Sequence, residues 1–135
     1  MSNKSPRKRV DSFRYKDFIE VAKNFYEGAK IAYEYDYYNA AGVLIVHSAI
    51  AYSDAISIKY KGIKIQGDNH YEIISLLEDL IAQSEKKKKA LVQLKHIIDH
   101  KNRVSYSGDI YLKKDIEMLW KYMDRFKAWV DELLN

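Results

Sequence analysis

The sequence predicts an all-α domain, an antiparallel up-and-down bundle of four to five helices. Three observations carry that prediction. Breakers are scarce: Pro occurs once, at Pro6, and Gly five times in 135 residues, so long helices can run uninterrupted. Apolar residues recur three and four positions apart along successive segments. Short polar stretches separate those segments, and short connections between long helices make antiparallel neighbours.

Each element follows in turn. Residues 1–10 are polar, contain the single Pro and lack periodicity, and so read as a disordered basic arm; residues 11–135 form one domain. Ser12 is the expected N-cap of a first helix of about 12–35, along which Phe18, Val21, Ala22, Phe25, Ala29, Ala32 and Tyr33 fall at helical spacing. A second helix, about 39–60, is apolar almost all round at its start, which places it at the centre of the bundle. Residues 61–69 carry Gly62, Gly67 and Asp68-Asn69, a loop composition. A short third helix, about 70–83, turns Ile73, Ile74, Leu77, Leu80 and Ile81 inward, with Asn69 or Asp68 as its cap. The fourth, about 85–105, buries Leu91, Leu94, Ile97, Ile98 and Val104, and Ser107-Gly108-Asp109 ends it. The fifth, about 112–134, has the cleanest pattern: Ile116, Leu119, Trp120, Met123, Phe126, Val130, Leu133 and Leu134.

Composition excludes some chemistry and leaves other chemistry open. The absence of cysteine removes disulfides, thiolate zinc sites and Cys nucleophiles. No apolar stretch follows the basic N-terminus, so no secretory signal is expected, and the location expected is cytoplasmic. The longest nearly apolar run, Ala40–Tyr52, is shorter than the roughly 18 residues that span a bilayer, so no membrane partner is expected. The net charge is +4, and residues 1–10 supply +4 through Lys4, Arg7, Lys8 and Arg9, leaving 19 basic and 19 acidic groups in the rest. The excess therefore sits on the arm. Within the body, residues 84–103 hold seven Lys/Arg against Glu85 and Asp99.

The fourth helix carries the richest constellation. At 100° per residue His96, His100, Arg103 and Ser107 share a stripe, with Asp99 and Tyr106 at its edge and Asn102 beside Arg103, opposite the apolar face. Two readings stay open: a solvated helix face, or a polar groove that meets a partner subunit or a phosphate. Arg103 suits the second because its planar fork grips phosphate oxygens in pairs. His96, Asp99 and His100 also mimic a helical zinc pair, but the acid is Asp and no third ligand is marked, so no metal is assigned and no cofactor is expected. On the second helix His47 and Asp54 lie seven residues apart, hence on one face. They form either a satisfied internal network or part of the groove facing Arg103. Lys86–Lys89 open a helix where the dipole disfavours cations, which reads as a solvated, fraying end or a patch for phosphate or an acidic partner.

Four segments carry a family resemblance, the last being Asp115–Leu134, which is similar to the family's amphipathic closing helix. Tyr38–Gly62 (YNAAGVLIVHSAIAYSDAISIKYKG) resembles the second helix of HEPN-domain proteins, in which a small-residue stretch leads to a His and a DA pair follows. Asp68–Leu77 (DNHYEIISLL) is similar to the next family element, and Leu94–Gly108 (LKHIIDHKNRVSYSG) to the helix bearing the family's Arg motif. The resemblance covers about 15–134. It implies an antiparallel bundle that homodimerises by pairing its Arg-bearing helices across a cleft. Active members are metal-independent ribonucleases using an Arg and a His with four to six residues between them, and some act as toxins beside a nucleotidyltransferase partner.

Arg103 matches that Arg. Gly108, Asp109 and Ile110 occupy the region where the His would stand, and Tyr106 precedes them. A base for the 2′-hydroxyl proton near pH 7 calls for imidazole; Tyr, with a pKa of about 10, donates a hydrogen bond but is a poor base. His100 could bring an imidazole to the same groove. The sequence thus leads to a HEPN-like homodimer binding RNA, a nucleotide or a partner protein through Arg103, Tyr106, Asp54, His47, His96 and Asn102. A ribonuclease with a rearranged Arg103–His100 site, to which Tyr106 could contribute, and a purely structural or regulatory module are the rivals.

Overall fold

The computed structural model describes residues 6–135. Among them are six α-helices: α1 (Tyr15–Glu34), α2 (Tyr38–Lys61), α3 (Tyr71–Leu80), α4 (Glu85–Ile98), α5 (Lys101–Tyr106) and α6 (Lys113–Leu134). Two three-residue strands, β1 (Arg7–Arg9) and β2 (Ile63–Ile65), form an antiparallel ribbon.

Helix α2 organises the rest. Of its 24 residues, 15 are buried, which leaves no continuous face for water, and it packs against α1, α3, α4, α5 and α6. It is long and apolar enough to cross a membrane, yet most of that stretch is covered by the other helices. This is the all-round apolar helix that the sequence places at the centre. The inward sets expected of α4 and α6 are also found: Leu91, Leu94, Ile97, Ile98, Val104, Ile116, Leu119, Met123, Phe126 and Val130 are all buried. Trp129 and Leu76 are buried as well, beyond the expected sets, whereas Val21 of α1 faces solvent.

The chain is a helical bundle, but it is not strictly up-and-down. Gly28 lies against Leu44 and Ser48 Oγ donates to the Ala22 carbonyl at 2.8 Å, so α1 and α2 run antiparallel. Tyr71 bonds Asp99, and Lys87 meets Glu78, so α3 and α4 are antiparallel too. In contrast, α3 runs in the same sense as α2. Nine residues, 62–70, make the return. At about 3.3 Å each they reach about 30 Å, more than the ~20 Å that half of α2 spans. A loop of that length can carry the chain back, and the inference from loop to antiparallel neighbours fails there.

Four local expectations differ from the structure. Residues 6–10 of the expected arm are ordered: β1 pairs Arg7 with Ile65, Lys8 with Lys64 and Arg9 with Ile63, and Val10 N donates to Gly62 O at 2.8 Å. Residues 1–5, including Lys4, lie outside the described residues. Ser12 opens a 3-10 turn, Ser12–Arg14, and does not cap α1. The expected fourth helix breaks at Asp99-His100 into α4 and α5. Helix α3 is preceded by His70 with no side-chain cap, so neither Asn69 nor Asp68 is its N-cap, although Asn69 Oδ1 accepts from Tyr71 N at 3.2 Å.

The lysine run is also corrected. Lys87 is only 1% exposed; its ammonium donates to the Glu78 and Ile81 carbonyls at 3.0 and 2.9 Å and pairs with the Glu78 carboxylate at 2.9 Å. Helix α3 ends with carbonyls that have no helical partner, and Lys87 satisfies two of them. Ser84 caps α4 by accepting from Lys87 N at 3.0 Å. Replacing Lys87 by Ala leaves those acceptors buried and unpaired, and should lower stability by roughly 3 kcal/mol. Lys88→Ala and Lys89→Ala, by contrast, should stay within about 0.5 kcal/mol of wild type. Urea denaturation of the three variants measures the difference.

Candidate functional site

The site at the α5 end is held by an asparagine at the start of α2. Asn39 Nδ2 donates to Val104 O at 3.0 Å and to Asp109 O at 2.9 Å, and Asn39 Oδ1 accepts from Tyr111 N at 2.9 Å. One side chain thereby fixes α5 and the segment that follows it. Gly42 sets the distance: a Cβ there would lie 2.7 Å from Val104 Cγ2, closer than packed atoms tolerate, so only glycine lets α5 sit this near to α2.

Around that anchor, Tyr111 gathers two of the expected residues. Its buried ring has the Arg103 guanidinium 5.3 Å from the centroid, and its hydroxyl lies 2.6 Å from His100 Nδ1. Arg103 Nε donates to Asp109 Oδ2 at 2.9 Å, which holds the guanidinium in its charged form. His100 is half-buried; burial first, and Arg103 second, push its pKa below the ordinary histidine value. Ser107 Oγ returns to Arg103 O at 2.7 Å and accepts from Asp109 N, closing the turn.

The other candidates separate. His96 stacks on Tyr122 with centroids 4.8 Å apart, on the side of α4 that faces α6. Asp99 is tied to Tyr71 and Lys95. The suspected zinc pair therefore does not converge, and among the described residues no group of three or more His, Asp or Glu could hold a metal ion. Asn102 is exposed. Tyr106 lies with His47, Lys101 and Ser105 around a recess of about 70 Å³. His70, at the head of α3, is close enough for its charge to couple to His47 and Lys101, and its buried Nδ1 has no partner. Burial first, and Lys101 second, push the pKa of both histidines below the ordinary histidine value.

Asp54 does not face the Arg103 groove. It lines a separate α1–α2 groove with Arg14, Phe18, Phe25 and His47, and its nearest cation is Lys64 at 3.9 Å. His47 borders both recesses because it sits midway along α2; Asp54 lies two helical turns further on and belongs to the other end. The sequence reading missed Asn39, Asp109 and Tyr111. A polar residue at the head of an apolar helix was the available signal for Asn39; nothing local marked the other two.

Compared with family models, curated proteins and solved structures, the chain matches none.

Asp54 supplies a direct test of this geometry. Burial raises its pKa from 3.8 to about 7, with Lys64 opposing. A folded value above the unfolded one means that the contribution to stability is complete below about pH 4 and is lost as pH rises through 7. Asp54→Asn should be more stable than wild type above pH 7, by on the order of 3 kcal/mol, with the gap closing below pH 4. Thermal melts from pH 4 to 8 read this directly; equal slopes for both proteins would mean an Asp54 carboxylate that is freely hydrated.

Proposed function

We propose that the chain is a HEPN-like homodimeric binding module whose shared face is α5 and the segment after it, with Arg103 directed at an anionic guest. The observation that carries this reading is the pair of large side chains left in water on the segment that follows Arg103. Tyr106 is 83% exposed and Ile110 84%, and Leu112 adds to the same stretch. An apolar cluster rimmed by charge is what an interface leaves uncovered in a single copy.

The size of the recess supports the same conclusion. The recess under Tyr106, which Arg103 does not itself line, is about 70 Å³ and holds a water or two, whereas small-molecule sites run to roughly 300 Å³ or more. A nucleotide or an RNA backbone would need a second wall at this end, and a second copy of the chain supplies it with a second Arg103. The guest is RNA, a nucleotide or an acidic partner protein of the nucleotidyltransferase type, in a toxin–antitoxin or defence setting and in the cytoplasm. The order of the quoted segments supports this HEPN-like assignment.

A specific contact favours one rival. His100 and Arg103 meet on the same tyrosine ring, so an imidazole and a guanidinium flank one spot, as a metal-independent ribonuclease with a rearranged site requires.

The dimer is tested by mass in solution at low micromolar concentration. Wild type should run as a dimer, and Tyr106→Lys with Ile110→Lys as a folded monomer; a monomeric wild type removes the shared face. For the ribonuclease, labelled RNA in EDTA should be cut by wild type and by neither Arg103→Ala nor His100→Ala. Guest binding without cleavage leaves the binding module, and the absence of both leaves a structural or regulatory one.

A further inference from the structure

Three of the four N-terminal cations, Arg7, Lys8 and Arg9, are built into the fold, at the end of α2 opposite Arg103. Gly62, in the left-handed conformation (φ 67°), ends α2 with its N–H on Ile58 O, and its carbonyl takes Val10 N. A Cβ at Gly62 would meet the Val10 carbonyl at 3.1 Å, so the N-terminal segment docks closely at this point. The docking lays Lys8 and Arg9 beside Arg14 and Lys61, around a groove of about 480 Å³. Four cations and one carboxylate, Asp11, line it, a local charge of 4 − 1 = +3. Arg14 is answered by Asp17 at 3.2 Å; Lys8, Arg9 and Lys61 have no ion pair with a described residue.

Two further observations point to a ligand. In the ribbon Lys8 lies directly opposite Lys64, a like-charge pair in which Asp54 answers Lys64 at 3.9 Å and no described carboxylate answers Lys8. Exposed aromatic side chains also neighbour two of these cations in sequence: Phe13, 72% exposed, lies between Ser12 and Arg14, and Tyr60, 45% exposed, precedes Lys61. Cations that track a backbone, interleaved with exposed aromatic rings on which bases can stack, are the two components of sequence-tolerant single-strand binding. A lipid surface fits less well. It needs a contiguous apolar face to insert, and here two isolated rings stand among Asp11, Ser12 and the charges.

We propose that β1, the 3-10 turn and the end of α2 form a binding surface for single-stranded nucleic acid, with phosphates on Lys8, Arg9, Arg14 and Lys61 and bases on Phe13 and Tyr60. The 22 helical steps from Asn39 to Lys61 put it about 30 Å from the Arg103 end, so it does not depend on the dimer reading.

The test is fluorescence anisotropy of the full chain with a labelled 20-nucleotide oligo-U at 50–200 mM salt. Four phosphate contacts predict a slope of log affinity on log salt near −3, at about 0.7 per contact. The charge reversals Lys8→Glu and Lys61→Glu, both at exposed side chains, should each weaken binding at least tenfold at low salt and flatten the slope. Phe13→Ala should weaken binding without changing the slope. Circular dichroism and solution mass should match wild type for all three variants, and Lys121→Ala, at an exposed position outside both surfaces, should bind as wild type does. Three results overturn the proposal: no binding at 50 mM salt; binding lost on Arg103→Ala but kept in the ribbon variants, which assigns it to the other end; or capture by phosphatidylserine vesicles with no affinity for the oligonucleotide.

Discussion

Burying α2 on every side is the constraint from which the rest of the structure follows. A helix with no wet face must answer each polar side chain it carries from within the protein. Its serines comply by turning to carbonyls: Ser48 to Ala22 across the α1 contact, Ser53 to Ala49 and Ser57 to Asp54 on α2 itself. These bonds need no partner side chain, which is why small hydroxyl residues are tolerated in the core. Tyr52 is handled differently: its hydroxyl is buried and unpartnered, burial lifts its pKa to about 12, and the Lys127 ammonium lies 5.9 Å from its ring. Asp54 is the costly case. Among the described residues no hydrogen bond answers its carboxyl, and burial raises its pKa against the opposing charge of Lys64.

Periodicity made the core legible, and contact across the chain made the site illegible. Residues such as Leu94, Ile97, Leu119 and Met123 announce themselves because helical phase alone decides which face they take. The same phase would have found Lys87. Counting back from Leu94 and Leu91 by three and four lands on position 87, so one member of the lysine run had to point inward. Reading the run as a block of like charges hid that. Composition misled in the same way at residues 6–10. A polar, Pro-containing stretch lacks a pattern of its own, and the strand at Arg7–Arg9 exists because β2, more than fifty residues away, offers it a ladder. No window of local sequence contains that information.

The break at Asp99-His100 had the largest consequence for function. Treated as one straight helix, positions 96, 100, 103 and 107 make a single polar stripe. With the break, His96 remains with α4 and stacks on Tyr122, while His100 and Arg103 turn to Tyr111. Asp99 leaves the stripe because Tyr71 of α3 claims it at 2.6 Å. A stripe drawn on a helical wheel therefore became two unrelated surfaces, and only the second can meet a partner near Arg103.

Both candidate surfaces hang from the ends of one helix. At the head of α2, Asn39 ties down α5 and its following segment, and Gly42 lets Val104 close in. At its foot, Gly62 stops the helix and receives the N-terminal strand. In each case charged side chains sit on short elements that could not stay folded alone: a six-residue helix and a three-residue ribbon. The buried helix lends them its rigidity. The conformational entropy of holding Arg103, or the Lys8–Arg9 pair, in place is met during folding and not at the encounter with a guest. An exposed cation on a floppy arm has no such advantage, so where the N-terminal segment docks matters more to binding than how many charges it carries.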